Sequence, residues 1–237
     1  MLELFFGTTN AGKLRELRRL VAGLAVRVVS PEDLGRPLPE VVEDGATFEA
    51  NARKKAAEYA RATGLYALAD DSGLCVDVLY GMPGIRSARW SEEEPTGPAS
   101  PACSLGELGA RELGPEMARA ARDAANNDKL LRALSGVEPG IRGAEYKAVL
   151  ALAAPDGSIR ATVTGTCRGR IAESPRGKGG FGYDPLFLPE PELERAGPGH
   201  LPRTMAELDP DEKDAISHRG DAFRRIVPVL RDLAATL

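Results

Sequence analysis

A chain of 237 residues with 43% hydrophobic and 28% charged side chains can bury a substantial core, and this excludes a largely disordered polymer. Its formal net charge of -4 argues against an extended nucleic-acid binder, while leaving room for a small anion in a local basic cleft. No apolar run approaches the roughly 20 residues of a membrane helix, and Met1 to Phe6 lacks a basic n-region, so neither a membrane partner nor a signal peptide is expected.

The three cysteines, Cys75, Cys103 and Cys167, lack metal-ligand spacing and read as incidental thiols of a reducing cytoplasm. Leu2 to Phe6 is an apolar strand ending at Gly7-Thr-Thr-Asn10. Lys13 to Val21 follows with Leu14, Leu17, Leu20 and Val21 at helical spacing, and a second strand over Val26 to Val29 closes a β-loop-α-β unit. Thr47 is a candidate cap for a helix over Phe48 to Thr63, with Gly64 as its stop. Leu65 to Ala69 is a third strand that runs into Asp70-Asp71-Ser72-Gly73, and Leu74 to Leu79 continues as strand up to the turn Gly81-Met-Pro-Gly84. Residues 92 to 115, rich in Gly, Pro, Ser and Glu, read as a surface insertion. A helix is predicted from about Pro115 through Leu134, with Asn126-Asn127 as a candidate interruption. Tyr146 to Ala154 and Ile159 to Gly169 pair through the turn Pro155-Asp-Gly157. The glycine-rich stretch Gly177 to Pro185 precedes a strand over Leu186 to Leu188, residues 189 to 203 form a Pro/Gly-rich loop, and helices over about Asp209 to His218 and Gly220 to Leu237 end the chain. Interleaved strands and helices with hairpin-like pairs in the second half imply an α/β fold, a mixed β-sheet with flanking helices.

Four constellations carry candidate chemistry. Gly7-Thr-Thr-Asn-Ala-Gly-Lys13 lies between a strand and a helix, where backbone amides favour an anion and Lys13 adds a cation. It follows phosphate-loop spacing through Gly12-Lys13, but Leu14 stands where a Ser or Thr would ligate Mg²⁺, so the metal must be held elsewhere. The plainer reading is a helix cap by Thr9 or Asn10 beside a solvated lysine. Asp70 and Asp71 directly follow an apolar run, where adjacent acids are costly unless paired, solvated or bound to a cation. Side chains alternate along a strand, so both need not enter one site, and a turn is the alternative. Glu43, in the acidic stretch Glu40 to Asp44, offers a further oxygen ligand for a partly hydrated Mg²⁺, or belongs to a solvated loop. Phe181-Gly-Tyr-Asp184 sets aromatic rings among glycines, where a flat base can stack and Asp184 can accept from a base or ribose; a surface loop with a packed Phe is the alternative. Lys213 to Arg219 gathers Lys213, Ser217, His218 and Arg219 near a helix end, where basic residues also act as ordinary caps. Together they are the parts of a nucleotide site.

With Thr47-Phe-Glu-Ala-Asn-Ala-Arg-Lys-Lys55, Gly84-Ile-Arg-Ser-Ala-Arg-Trp90 and Ser217-His-Arg-Gly220, these segments resemble, in order and from end to end, the inosine triphosphate pyrophosphatase family of noncanonical purine NTP hydrolases. The resemblance implies an elongated two-lobed fold around a central cleft, residues 1–237 as a single domain, and a cytoplasmic homodimer with Mg²⁺ as cofactor. It implies hydrolysis of a purine nucleoside triphosphate (ITP, dITP or XTP) to the monophosphate and pyrophosphate. Carried over position by position, Thr8, Thr9, Asn10 and Lys13 hold the triphosphate, Lys55 faces phosphate, and Ser72 contacts substrate. Asp71 matches the catalytic acid and metal ligand, while Phe181, Gly182, Tyr183, Asp184, Lys213, His218 and Arg219 match residues around the base and phosphates. The family commonly has two adjacent glutamates before a Thr-Gly pair; this chain has Val42-Glu43-Asp44-Gly45, which leaves Glu43 as the second metal ligand. Residues 92–122 exceed the usual connector and residues 189–203 are extended, both expected as surface loops, with the match resuming near Asn127-Asp-Lys-Leu-Leu131. Rival readings are a related pyrophosphatase for modified pyrimidine or methylated nucleotides and a non-catalytic nucleotide-binding module. The second leaves Asp70-Asp71 without a task.

Overall fold

The computed structural model describes residues 1–8, 10–92 and 114–236. Strand β1 (Leu2–Phe6), helix α1 (Ala11–Leu20) and strand β2 (Val26–Val29) form the expected unit, with β1 and β2 parallel. Helix α2 (Phe48–Thr63) starts at Thr47, whose side chain accepts the Ala50 amide, and stops at Gly64. Gly64 has φ 73°, a left-handed conformation that costs a glycine little.

Strand β3 (Tyr66–Val76) departs from the expectation, because it runs unbroken through Asp70-Asp71-Ser72-Gly73. Strand β4 (Gly143–Ala153) pairs antiparallel with it throughout, setting Asp70 opposite Leu150 and Asp71 opposite Val149. That continuous ladder overrides the weak strand preference of aspartate and glycine, and the predicted strand end, Asp77–Leu79, is a 3-10 turn instead. Helix α3 (Pro115–Ala133) is also unbroken at Asn126-Asn127. Both asparagines are buried and bond to neighbouring loops: Asn126 accepts the Ser91 amide at 2.7 Å, and Asn127 donates to the Gly182 carbonyl at 2.9 Å. Most of the predicted insertion before α3, residues 93–113, lies outside the described residues.

Strand β5 (Ile159–Ile171) pairs antiparallel with β4, and β6 (Phe187–Pro189) with β5. The predicted 189–203 loop contains helix α4 (Glu190–Glu194). Its buried Glu192 accepts from Arg203 at 3.0 Å, and Arg203 also donates to Glu212 at 2.9 Å, so the extension is clamped to α5 (Pro210–Ile216). Helix α6 (His218–Thr236) ends the described chain.

The sheet order is β2-β1-β3-β4-β5-β6, a mixed sheet with flanking helices, as expected. Leu4, Phe6, Leu17, Leu68, Phe223 and Ile226 form a core with α1 and α6 on one face, while Phe5, Ala52, Ala56 and Ala69 pack α2 on the other. A further core, with Leu74, Leu130, Tyr146 and Phe187, surrounds the far ends of the long strands. Asp70 to Gly73 therefore lie where the strands pass from one lobe to the other. Cys75 and Cys167 are free thiols, and Cys103 falls outside the described residues. Among the described residues, no helix is long and apolar enough to cross a membrane.

Helix α6 can reach the sheet because β5 offers Gly165: a Cβ there would run into the His218 carbonyl and the Ala222 amide. Gly165→Val should therefore lower unfolding stability by about 1–3 kcal/mol, as overpacking usually does. Urea denaturation checks this, and a wild-type midpoint would mean that the contact has slack.

Candidate active site

Strand β1 ends at Phe6, opposite Leu68, while its parallel neighbour β3 continues. Side chains after Leu68 thus emerge beside a vacated strand position, the usual place for a ligand crevice in an open sheet. Strand alternation then parts the two acids. Asp70 follows Leu68 onto the α1/α6 face, where its Oδ2 lies 2.8 Å from Lys13 Nζ and 3.5 Å from Arg219 Nε. Asp71 follows Ala69 onto the α2 face. There it meets Lys55 Nζ at 3.3 Å and accepts from Asn51 Nδ2 at 3.1 Å.

Asn51 also accepts the Gly45 amide at 2.8 Å, which draws the acidic stretch against α2. Glu43 then accepts from Lys55 at 3.1 Å, so one ammonium serves both Asp71 and Glu43. Burial by itself would raise the Asp70 carboxyl, but Lys13 and Arg219 outweigh it and hold the pKa down at about 2. Asp71 moves the other way: burial, reinforced by Glu43, outweighs Lys55 and raises it. Adjacent residues thus separate into a firmly ionised anchor and a more basic carboxylate.

A chain of alternating charges continues toward the second lobe. Glu16 of α1, buried, lies 3.0 Å from Arg219 and 3.3 Å from Lys213. Lys213 in turn donates to Asp184 at 2.8 Å, and Asp184 accepts the Phe181 amide at 2.9 Å. The Ser72 hydroxyl accepts from Arg219 at 3.3 Å. Gly182 is held from α3, its amide donating to Asp123 at 2.8 Å and its carbonyl accepting from Asn127. The Phe181 ring has Lys213 Nζ at 4.6 Å and the Arg219 guanidinium at 4.8 Å from its centroid. It also faces Gly12, where a Cβ would meet the ring at 2.9 Å. His218 stacks on Tyr146 with ring centroids 4.6 Å apart and 6° between planes, and neither imidazole nitrogen has a partner among the described residues. Burial, then Arg219 and Lys213, push its pKa well below the ordinary value, so the ring is neutral and offers one donor and one acceptor.

Most predicted positions converge, with informative differences. Lys13 is no solvated lysine but a largely covered ion-pair partner of Asp70. Asn10 caps α1 by accepting the Gly12 and Lys13 amides, and Thr8 Oγ1 accepts the Asn10 amide at 3.1 Å. Thr9 lies outside the described residues. Tyr183 does not face the cleft: it is 2% exposed within the core around Leu74 and Phe187, and its hydroxyl donates to the Ser87 carbonyl at 3.0 Å. Sequence reading missed Glu16, Asn51 and Asp123. Glu16 stands three residues after Lys13 on a helix already predicted, but nothing local announces that residues 213 and 219 will meet it.

Among the described residues, no group of three or more His, Cys, Asp or Glu forms a ready-made metal cage. The Asp71 and Glu43 carboxylates on one ammonium nonetheless fit Mg²⁺, which takes one or two protein carboxylates and leaves its other positions to water and phosphate oxygens.

Cations in register with carboxylates, beside a vacated strand position, define a protein that handles a phosphorylated ligand. The Ham1 family model matches residues 4–112 and 104–229. The chain is 67% identical to a dITP/XTP pyrophosphatase of Anaeromyxobacter dehalogenans, covering 98% of this chain and 99% of that one. It is 46% identical to a dITP/XTP pyrophosphatase of Streptomyces avermitilis over the same shares. Among solved structures, a HAM1 protein from Coxiella burnetii superposes with a TM-score of 0.72 at 35% identity, covering 98% of this chain and all (100%) of that one. The chain belongs to the Ham1 family, and the resemblance carried by its motifs is borne out.

Asp70 offers a direct test of the ion-pair arrangement. Its folded pKa is depressed from 3.8 to about 2, so its stabilising contribution is present above pH 3.8 and lost as pH falls toward 2. Asp70→Asn should lower stability at neutral pH by about 3 kcal/mol, since it strands buried cations. Wild type should also lose stability more steeply than the variant between those pH values. Parallel denaturation curves for the two proteins across that window would contradict the assignment.

Proposed function

We propose that this chain hydrolyses noncanonical purine nucleoside triphosphates (ITP, dITP and XTP), releasing pyrophosphate and leaving the monophosphate. The division at Asp70-Asp71 carries the reading: one acid is locked to Lys13 and Arg219, while its neighbour stays more basic beside Glu43. The dITP/XTP pyrophosphatase names of relatives sharing nearly the full length support the substrate class and the bond cleaved.

Asp71 and Glu43 would hold Mg²⁺, which when bound withdraws charge from the phosphate oxygens. Asp71 orients a water for attack at the α-phosphorus and accepts its proton. The α–β anhydride bond breaks and pyrophosphate leaves. Lys13, Lys55, Lys213 and Arg219 offset the phosphate charge without reorganising, because the carboxylates already aim them. Thr8 and Asn10 line the triphosphate, Asn10 also keeping the start of α1 in place, and Ser72 contacts the substrate beside Arg219. Phe181 stacks on the base, and Gly182 and Asp184 position that ring.

His218 and Arg219 donate to the 6-oxo group, the imidazole N–H having no partner among the described residues. The 6-amino group of adenine would set donor against donor, at a cost of about 1–3 kcal/mol, or roughly tenfold or more in selectivity. The same reading carries a cytoplasmic homodimer.

Incubation of the purified protein with dITP and Mg²⁺ should yield dIMP and pyrophosphate. Turnover of dATP should be at least about tenfold slower, and a metal chelator should stop the reaction. Orthophosphate as the product, or equal turnover of dATP, would refute the reading. Asp71→Asn should retain nucleotide binding while kcat falls by about 100-fold or more; single-turnover kinetics with a binding assay separates the two effects.

A further inference from the structure

Helix α3 brings one more cation to Phe181 than the motifs contain. The guanidinium carbon of Arg119 lies 4.8 Å from the ring centroid, in addition to Lys213 and Arg219 at 4.6 and 4.8 Å. A ring has two faces, so three cations at this range crowd a single stacking platform. Lys213 and Arg219 are fixed in place, their side chains 8% and 5% exposed and both bonded to Glu16. Arg119 is different. Its side chain is 30% exposed, and Asp123, 4.0 Å from its Nε, already accepts the Gly182 amide at 2.8 Å. Burial lowers the Arg119 pKa, Asp123 opposes this, and Arg219, Arg122 and Arg15 add to the lowering. Arg119 is therefore a partly desolvated guanidinium in a like-charged neighbourhood, loosely countered by one acid among the described residues, beside the ring assigned to the base.

The geometry points to Arg119 as a specificity residue for the base, favouring a purine ring that itself carries negative charge. The inference rests on the pyrophosphohydrolase reading and refines its substrate class. Hypoxanthine and xanthine share the 6-oxo group that His218 and Arg219 would meet, so those residues do not tell the two apart. Xanthine has a second carbonyl, at C2, which makes a ring N–H acidic enough to be lost near neutral pH, whereas hypoxanthine stays neutral. To a neutral stacked base Arg119 offers a weak cation–π contact; to the xanthine anion it offers a charge pair in a partly buried setting. It thereby biases the site toward XTP over ITP.

The test compares kcat/KM for XTP and ITP, followed by pyrophosphate release, in wild type, Arg119→Met, Arg119→Gln and Arg119→Lys. Methionine keeps much of the apolar stem without charge, glutamine keeps polarity without charge, and lysine keeps the charge. Expected are a fall of about tenfold for XTP with the two uncharged variants, a change for ITP within about twofold, and substantial recovery with lysine. An unchanged XTP/ITP ratio in a folded uncharged variant overturns the assignment. So does an equal fall for both substrates, which would make Arg119 a general anchor. A wild-type protein that releases pyrophosphate from neither nucleotide sinks the pyrophosphohydrolase reading, and this refinement with it.

Discussion

Two carboxylates that follow one another on an extended strand must leave it on opposite faces, and here that rule divides the labour of a site. Asp70 points toward α1 and α6 and meets Lys13 and Arg219; Asp71 points toward α2 and meets Lys55 and Asn51. Both lie beside the strand position vacated where β1 stops at Phe6 while β3 goes on. Slipping the β3 register by one residue would exchange the two environments and bring leucines out of both cores. The register is held by the long antiparallel ladder to β4 and by the apolar residues before and after the acids, so the packing of the sheet sets the chemistry of the crevice.

The run Lys13–Asp70–Arg219–Glu16–Lys213–Asp184 ties the lobes together electrostatically, but it does not carry the stability of the fold. Buried ion pairs roughly offset their own desolvation, whereas removing one member leaves a costly orphan. The apolar cores on either side carry the folding free energy, and the charged seam between them is better understood as preorganisation. Each cation arrives already aimed and already stripped of much of its water, so a polyphosphate entering the crevice finds charge that need not be rearranged. Close backbone approaches serve the same end. Gly165 lets the start of α6 sit against β5, and Gly12 leaves room for the Phe181 ring.

Local chemistry settled a good part of the architecture. The apolar run of β1, the periodicity of α1 and the Thr47 cap with its Gly64 stop each act over a few residues, so their elements stand where the pattern puts them. Where local and tertiary preferences disagreed, the tertiary ones prevailed. Asp70 to Gly73 reads as a turn by composition but is strand because β4 pairs across it; Asn126-Asn127 reads as a break but stays helical because loops supply partners for both amides. Tyr183 has the character of a site residue, yet the core around Leu74 and Phe187 claims its ring.

The motifs named Asp71, Lys13, Lys55, Lys213 and Arg219 as a set, because residue type and order along the chain are enough to expose a nucleotide site. What each contacts was decided only by folding. Glu16 lies 203 positions from Arg219, and Asn51 lies 20 from Asp71. Arg119 sits on α3 ahead of the segment where the family match resumes, yet reaches the same aromatic ring as Lys213. Burial and Coulomb energy depend on distance in space, so which acid is held near pKa 2, which is raised, and which cation remains loosely paired could be known only once the helices had been brought to the end of β1.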